Sequence, residues 1–152
     1  STMIRRFVAG GDLDHAARAL GRPYATSGVV VPGAGRGRGI GIPTVNLAPP
    51  NPRKLLPPDG VYAATVAWRG GERGAMLNLG PRPTFGEQAR TLEAHLFAFD
   101  GDLYGETITV EFHRRLRDTG RFASVDALRR QLDQDRRDAL AALSMAGRPV
   151  TL

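Results

Sequence analysis

Apolar and polar residues alternate along several stretches of the chain, and this period of two predicts β-strands with one buried and one exposed face. The clearest case places Leu92, Ala94 and Leu96 on one face and Glu93 and His95 on the other. The same alternation, together with runs of β-branched residues, predicts strands at 28–31, 44–47, 61–69, 73–79, 91–99 and 106–116.

The connections between these strands are turns rather than helices. Gly70-Gly71 lies between two β-rich runs, which is typical of a hairpin, and the Asp-Gly-Asp sequence at 100–102 is typical of a turn. Because no crossover helix joins the strands, an antiparallel, closed or nearly closed barrel is favoured over an α/β sheet.

Helical spacing occurs near both ends of the chain. Residues 13–20 predict a short amphipathic helix that begins after Asp12 and ends at Gly21. Ser124 is predicted to cap a long C-terminal helix, whose apolar stripe should lie on the barrel wall. That stripe comprises Val125, Leu128, Leu132, Ala139, Leu140 and Leu143.

The composition narrows the class of protein. A chain of 152 residues, 41% hydrophobic and 24% charged, fits one soluble domain. No apolar run approaches the ~18 residues that a membrane-spanning helix needs. The lack of cysteine excludes disulfides and thiolate metal sites, and the three histidines have no zinc-ligand spacing. The expectation is a cytoplasmic protein without a membrane partner.

The net charge of +6 favours a partner that carries phosphate, either a nucleotide or a nucleic acid. An arginine-rich solvated surface is an equal alternative. The arginines are dispersed along the chain, and only 7% of the residues are aromatic, without a stripe between the basic positions. This distribution argues against nucleic-acid binding.

A glycine-rich stretch, 32–42, contains five glycines together with Arg36 and Arg38. Glycines allow backbone amides to approach an anion closely, and the arginines would add charge. The stretch matches neither a Walker loop nor a dinucleotide fingerprint, because Pro43 and Thr44 follow it instead of Gly-Lys-Ser/Thr or a helix. Taken alone, it is more typical of a flexible linker.

Three polar side chains on the predicted strands are candidates for chemistry. Thr44 and Asn46 point to the same side of a strand and offer hard oxygen donors suited to Mg²⁺. Glu93, in mid-strand, could act as a general base in phosphoryl transfer. Taken alone, each fits a plainer interpretation better, namely a polar residue on the wet face of a strand.

Two loops add further candidates. The segment 100–106 lacks the ligand spacing of a calcium hand and is better interpreted as a hairpin turn followed by an aromatic residue. The segment 115–122 carries three arginines and Phe122 between the last strand and the last helix. Cations beside an aromatic ring can stack on a flat heterocycle.

Together these features resemble the riboflavin kinase (flavokinase) module in the C-terminal half of bacterial bifunctional FAD synthetases. The resemblance covers most of the chain, in the family's order and spacing. The matching strings are GRGIGIPTVNL (37–47), DGVYAATV (59–66), NLGPRPTF (78–85), LEAHLFAFDGDLYGE (92–106) and LRDTGRFASVDAL (116–128).

The resemblance implies a mainly β fold: a six-stranded, Greek-key-like antiparallel barrel with a short N-terminal helix and a long C-terminal helix. It implies transfer of phosphate from Mg-ATP to riboflavin, giving FMN and ADP, with Mg²⁺ as cofactor. It also implies that 1–23 belongs to a preceding FMN adenylyltransferase module and 24–152 to the kinase. Since the catalytic body of the preceding module is absent here, we expect no adenylylation of FMN.

The resemblance also implies roles for individual residues. Glu93 corresponds to the catalytic carboxylate, and Thr44 and Asn46 correspond to the metal ligands. The nucleotide-binding positions are Gly33, Gly37, Arg38, Gly41, Thr44, Leu96 and Tyr104. The flavin-binding positions are Arg117, Arg121, Phe122 and Leu128.

Two residues depart from the family's pattern. Val45 stands where alanine is usual, and Ala98 stands where many members carry aspartate, which leaves one nucleotide-side contact in doubt. The alternative function is that of a small basic β-barrel binding single-stranded nucleic acid. A module that binds flavin without turnover is a third possibility, against which the retained Glu93, Thr44 and Asn46 argue.

Overall fold

The computed structural model describes residues 2–32, 44–48, 54–81 and 90–147. These contain the helices α1 (Thr2–Ala9), α2 (Leu13–Leu20) and α3 (Val125–Met145). The strands are β1 (Tyr24–Val31), β2 (Val45–Leu47), β3 (Gly60–Trp68), β4 (Gly71–Pro81), β5 (Arg90–Leu96) and β6 (Thr107–Arg117).

The six strands form a closed barrel in the order β1-β2-β5-β4-β3-β6, and each neighbouring pair is antiparallel. The β3–β4 hairpin pairs Trp68 with Gly71 and leaves Arg69 and Gly70 as its turn. The predicted antiparallel barrel and hairpin are therefore confirmed. Closure removes the exposed edges that an open sheet of these strands would present.

Alternation along the strands fills the barrel with apolar side chains and turns the polar ones outward. On β5, Leu92, Ala94 and Leu96 are buried in the interior, whereas Glu93 and His95 between them are only partly covered. The edge of one aromatic ring meets the face of another where Tyr62 and Phe112 pack, with centroids 5.5 Å apart. The period of two read from the sequence thus sets which side chains face the outside.

Two helices, rather than the one expected, precede the barrel. The predicted α2 begins at Asp12, whose side chain accepts a hydrogen bond from the backbone N–H of His15, and it ends at Gly21 with φ 78°. Leu13 packs into the barrel core. The assignment of 1–23 to a preceding module stays a prediction.

The C-terminal helix begins as predicted at Ser124, whose Oγ accepts from the backbone N–H of Ala127 at 3.0 Å. Its C-terminal half packs on the outer barrel wall, where Leu143 is fully buried. The predicted stripe is wrong at its other end, because Val125 is 54% exposed. The N-terminal half of α3 instead borders an open cleft.

The largest departures from the expected strand boundaries occur at β1 and β5, and β4 also extends beyond the expected 73–79 to Gly71–Pro81. β1 begins at Tyr24 rather than at residue 28, because it pairs with β6 over that added length. β5 ends at Leu96 rather than at residue 99, and Ala98 just beyond has a left-handed backbone with φ 51°. No described helix is both long and apolar enough to cross a membrane.

Candidate active site

A cleft of about 970 Å³ lies outside the barrel, between the outer faces of β4 and β5 on one side and α3 on the other. The segment 118–124, which joins β6 to α3, borders it. We call the strand side the polar wall; it carries Thr44, Asn78, Glu93 and His95. We call the other side the helix wall; it carries Arg121, Phe122, Val125, Leu128 and Leu132.

Glu93 occupies the middle of the polar wall. In register it pairs with Asn46 of β2 on one side and with Asn78 of β4 on the other. Directly opposed residues of antiparallel strands share a face, so both amides lie on the carboxylate's side of the sheet. Thr44 Oγ1 donates a hydrogen bond of 2.7 Å to Glu93 Oε1. The barrel thus places a strand on each side of Glu93, and Thr44 orients its carboxylate.

The donors near Glu93 suit a hard cation. Thr44 commits its hydroxyl proton to the carboxylate, which leaves oxygen lone pairs free, and Asn46 adds an amide oxygen on the same face. Mg²⁺ is usually held by few protein oxygens together with waters and substrate phosphates. No group of three or more His, Asp or Glu side chains in the described part of the chain could form an all-protein metal cage. The residues present therefore fit a Mg²⁺ that is shared with a polyphosphate.

The helix wall offers an apolar surface that ends in cations. Leu128 and Leu132 lie one turn apart on α3 and face the cleft, and Phe122 is partly covered beside them. Arg121 is exposed next to Phe122. An apolar face of this kind accommodates a flat heterocycle, because ring burial and cation–π contact both favour it.

Arg117 is held within the protein. Its Nε and Nη2 donate to the two carboxylate oxygens of Asp135 at 2.7 Å each, and its Nη1 donates to the backbone oxygen of Asp118 at 2.9 Å. Its guanidinium carbon lies 5.7 Å from the centre of the Phe122 ring. Arg117 thus lines the cleft, while three of its N–H groups are used in hydrogen bonds within the protein.

Neighbouring groups at the barrel end show shifted pKa values. Burial raises the pKa of Tyr62, whose hydroxyl donates to the backbone oxygen of Pro58. The hydrogen bond to Asp118 raises the pKa of Arg115, and Arg115 Nη2 lies 2.6 Å from Asp118 Oδ1. Asp118, the first residue after β6, is therefore contacted by two arginines.

The structure brings some of the predicted site residues together and separates others. Six of them line the cleft: Thr44, Glu93, Arg117, Arg121, Phe122 and Leu128. Asn46 lies beside Glu93 in the sheet. Leu96, 4% exposed, points into the barrel core, and Tyr104, 50% exposed, is not among the cleft residues. Gly33, Gly37, Arg38 and Gly41 lie outside the described residues. The roles of all these residues stay predictions.

Among the cleft residues that sequence reasoning did not assign to the site, Asn78 and Asp135 stand out for their polar side chains. Asn78 interrupts an otherwise buried run on β4 between Leu77 and Leu79, and that polar interruption was the available signal. Asp135 continues the apolar stripe of Leu128 and Leu132 along α3, and an acid in such a stripe was the corresponding signal.

The family model for riboflavin kinase matches residues 20–143. The chain belongs to the riboflavin kinase family. The match begins before β1 and ends within α3, so it includes the barrel and the cleft. The resemblance inferred from the sequence strings is therefore confirmed.

Curated relatives agree with this membership. The bifunctional riboflavin kinase/FMN adenylyltransferase of Pseudomonas fluorescens is 40% identical over 136 residues, which are 89% of this chain and 43% of the relative. The enzyme of the same name from Bacillus subtilis is 35% identical over 147 residues, or 95% of this chain and 46% of the relative. This chain spans less than half the length of these relatives.

Two solved structures share the fold. A protein from Streptococcus pneumoniae described as a macrolide-efflux protein has a TM-score of 0.84 at 41% identity, over 91% of this chain and 45% of that one. A riboflavin kinase from Trypanosoma brucei has a TM-score of 0.57 at 23% identity, over 80% of both chains. The second likeness supports the fold alone. These likenesses give no support to the alternative of a barrel that binds nucleic acid.

Proposed function

We propose that this chain transfers the terminal phosphoryl group of Mg-ATP to the 5′-hydroxyl of riboflavin. The hydroxyl oxygen bonds to the γ-phosphorus, the bond from that phosphorus to the β–γ bridging oxygen breaks, and ADP leaves. The proton of the hydroxyl passes to a base on the protein and is then released. The products are FMN and ADP.

One observation carries the proposal: a carboxylate, oriented by Thr44, faces an apolar wall across a cleft. Glu93 is partly covered and fixed by the hydrogen bond of 2.7 Å from Thr44, so its geometry suits a general base. Phosphoryl transfer depends chiefly on positioning and charge neutralisation, with a base that steers the nucleophile. Glu93 supplies the base, and the sheet supplies the positioning.

The oxygens of Thr44 and Asn46 are the groups of this chain that would hold Mg²⁺. When bound, Mg²⁺ supplies charge neutralisation to the phosphate oxygens. Thr44 would then have two tasks: its proton orients Glu93, and its oxygen would help to hold the cation. This double role places the base next to the phosphates that the nucleophile must reach.

The helix wall suits the flavin. Leu128, Leu132 and Phe122 present apolar surface to the isoalloxazine ring, and Arg121 lies at the rim. A ring on this wall directs its polyol side chain across the cleft toward Glu93. Asn78, next to Glu93 in the sheet, offers an amide to the hydroxyls of that chain.

The direct test is to incubate the chain with riboflavin and Mg-ATP and to separate the flavins by chromatography, where FMN should appear. Glu93→Gln should lower kcat by about 10²- to 10⁴-fold, because the amide keeps the shape of the carboxylate but accepts no proton. Its affinity for riboflavin should stay close to that of the wild type.

Glu72→Gln is the matched control, since Glu72 is an exposed strand glutamate beside the hairpin turn. It should leave FMN formation unchanged. Absence of FMN with the wild-type chain would contradict the proposed function. Full turnover by Glu93→Gln would contradict the role of Glu93.

The adenylyltransferase activity named in the relatives is a separate matter. We propose that this chain does not carry it and that, in a longer protein, a fused N-terminal module supplies it. FMN and Mg-ATP without riboflavin should then give no FAD in the same chromatographic assay.

A further inference from the structure

We infer that Asp135 is a positioning residue for the flavin: through Arg117, it holds the segment 118–122 in the place where that segment borders the cleft. The inference rests on the proposed function. It assigns a task to a buried acid that the reaction itself does not use.

Asp135 has an unusual environment. The residue is 1% exposed and lies on α3, between the half of the helix that borders the cleft and the half that packs on the barrel. Three hydrogen bonds satisfy its carboxylate: two from Arg117 at 2.7 Å each and one from Gln131 Nε2 at 2.9 Å. Both oxygens accept from a guanidinium fork, the geometry in which arginine orients a carboxylate most strictly.

Arg117 in turn contacts the segment 118–122. Its Nη1 donates to the backbone oxygen of Asp118 at 2.9 Å, and its guanidinium lies 5.7 Å from the Phe122 ring. One side chain therefore contacts the segment at two points, its first residue and its aromatic ring. Asp135 fixes the guanidinium, and the guanidinium fixes both points.

An apolar side chain could stand in place of the buried Asp135 of the Asp135–Arg117 ion pair. A leucine at position 135 would continue the stripe of Leu128 and Leu132, and well-packed apolar residues often replace a buried ion pair without loss of stability. Packing alone does not call for the carboxylate here. A fork that sets the angle of Arg117 and the position of the Phe122 ring does call for it, because apolar contacts are not directional.

The role of Arg117 changes accordingly. Three of its N–H groups donate hydrogen bonds to Asp135 and Asp118. Arg117 therefore anchors the segment 118–122. Arg121, exposed at the rim of the cleft, is the cation available to approach the flavin.

Asp135→Asn tests the inference, with Asp138→Asn as the matched control. Asp138 lies three residues further along α3, is exposed, and accepts a hydrogen bond of 2.9 Å from Gln134. Riboflavin affinity is measured by quenching of flavin fluorescence, and Mg-ADP affinity by calorimetry. We expect Asp135→Asn to raise the riboflavin Kd and KM by about 10- to 100-fold. Its Mg-ADP affinity should stay within about twofold of the control, since the proposed metal ligands lie on the opposite wall.

Non-additivity is the second readout, one that general weakening of the fold would not produce. If Asp135 acts through Arg117, the double variant Asp135→Asn/Arg117→Gln should bind riboflavin no more weakly than the worse single variant. If Asp135→Asn does not fold, Arg117→Lys serves instead, because it keeps the charge beside Asp135 but loses the fork. It should weaken riboflavin binding selectively.

Either of two results would overturn the inference. In the first, Asp135→Asn (or Arg117→Lys, where that variant replaces it) binds riboflavin as tightly as Asp138→Asn does. In the second, the variant loses riboflavin affinity and Mg-ADP affinity equally. In both cases a wild-type chain that forms FMN leaves the proposed function intact. A wild-type chain that neither binds riboflavin nor forms FMN removes both proposals together.

Discussion

The two walls of the cleft are built in different ways. The polar wall is part of the barrel, where Glu93 has a hydrogen-bonded strand on each side and Thr44 contacts its carboxylate. The helix wall includes the segment 118–124, which belongs to no strand or helix and whose contacts come largely from arginine side chains. A backbone ladder positions one wall, and a few directional side chains position the other.

This difference matches what the proposed function requires of each wall. A general base must lie within a few tenths of an ångström of its target, and a closed sheet provides that rigidity. A wall that admits and releases a flat substrate benefits from a segment held at a few points, which can move without unfolding the domain. Changes on the polar wall should therefore affect nucleotide binding and turnover, whereas changes on the helix wall should affect flavin binding.

After Glu93→Gln and Asp135→Asn, the next largest effect that sharpens the comparison is expected at Thr44. Thr44→Val keeps the branched shape and removes the hydroxyl, so Mg-ADP affinity should fall about tenfold, or about 1.4 kcal/mol. Riboflavin affinity without nucleotide should stay within about twofold. Calorimetry measures both constants.

Thr109→Val is the control for Thr44→Val. Thr109 is another strand threonine, and its hydroxyl lies 2.9 Å from that of Ser27 on β1, away from the cleft. It should leave both affinities unchanged. An unchanged Mg-ADP affinity in Thr44→Val would remove Thr44 from the metal site.

A smaller effect is expected on the opposite wall, at Arg121. Arg121→Ala should raise the riboflavin KM by about two- to fivefold, the size of an exposed cation–π contact. The free energy of unfolding should change by less than about 0.5 kcal/mol, because the side chain is exposed. Steady-state kinetics and thermal melts measure the two quantities.

Arg129→Ala removes an exposed arginine from α3, at a position outside the cleft residues, and should change neither quantity. Two results together would contradict the assignment of Arg121 to flavin binding: the wild type binds single-stranded oligonucleotides with a steep salt dependence, and Arg121→Ala has normal kinetics. They would support the nucleic-acid alternative, since log K for a single strand falls by ~0.7 per neutralised phosphate for each tenfold rise in salt concentration.

The smallest effect concerns stability alone and lies away from both walls. Ala98 has φ 51°, a left-handed conformation that costs an L-residue about 1–2 kcal/mol. Ala98→Gly removes that cost, but glycine also gives the unfolded chain more conformational entropy, which offsets part of the gain. The free energy of unfolding should therefore rise by ~0.5–1 kcal/mol. FMN formation should not change. Denaturant titration checks the sign.

The same substitution in a helix gives the opposite expectation. Ala19→Gly on the exposed face of α2 should lower the free energy of unfolding by ~1 kcal/mol. If Ala98→Gly also destabilises the chain, the backbone explanation is wrong. Many family members carry aspartate where this chain has Ala98. The difference affects the backbone as well as the side chain, because aspartate tolerates a positive φ better than alanine does.

Local patterns were sufficient for much of the fold. The alternation on β5, the caps of α2 and α3, and the β3–β4 hairpin depend on residues a few positions apart, and all were predicted. The turn of the hairpin lies at Arg69-Gly70, one residue before the predicted Gly70-Gly71. The first helix was missed. The boundaries of β1 and β5 were misplaced, because strand ends depend on how far a neighbouring strand continues.

The candidate site was predicted only in part. The outward direction of the Glu93 side chain follows from the period of two, which is a property of the sequence alone. Taken alone, however, that alternation favours a polar residue on the wet face of a strand over a general base. The contact that distinguishes it, the hydrogen bond from Thr44, joins residues 49 positions apart.

The sequence by itself determined which residues alternate, where helices α2 and α3 begin, and the resemblance to riboflavin kinases. Only the tertiary structure decided that Asn78 lies beside Glu93 and that the stripe of α3 is divided between the barrel and the cleft. It also placed Arg117 against Asp135 rather than free in the cleft. The physical reason is that side-chain direction is set locally by the backbone period, whereas the partner of a side chain is set by barrel closure and helix docking, which bring together residues far apart in the chain.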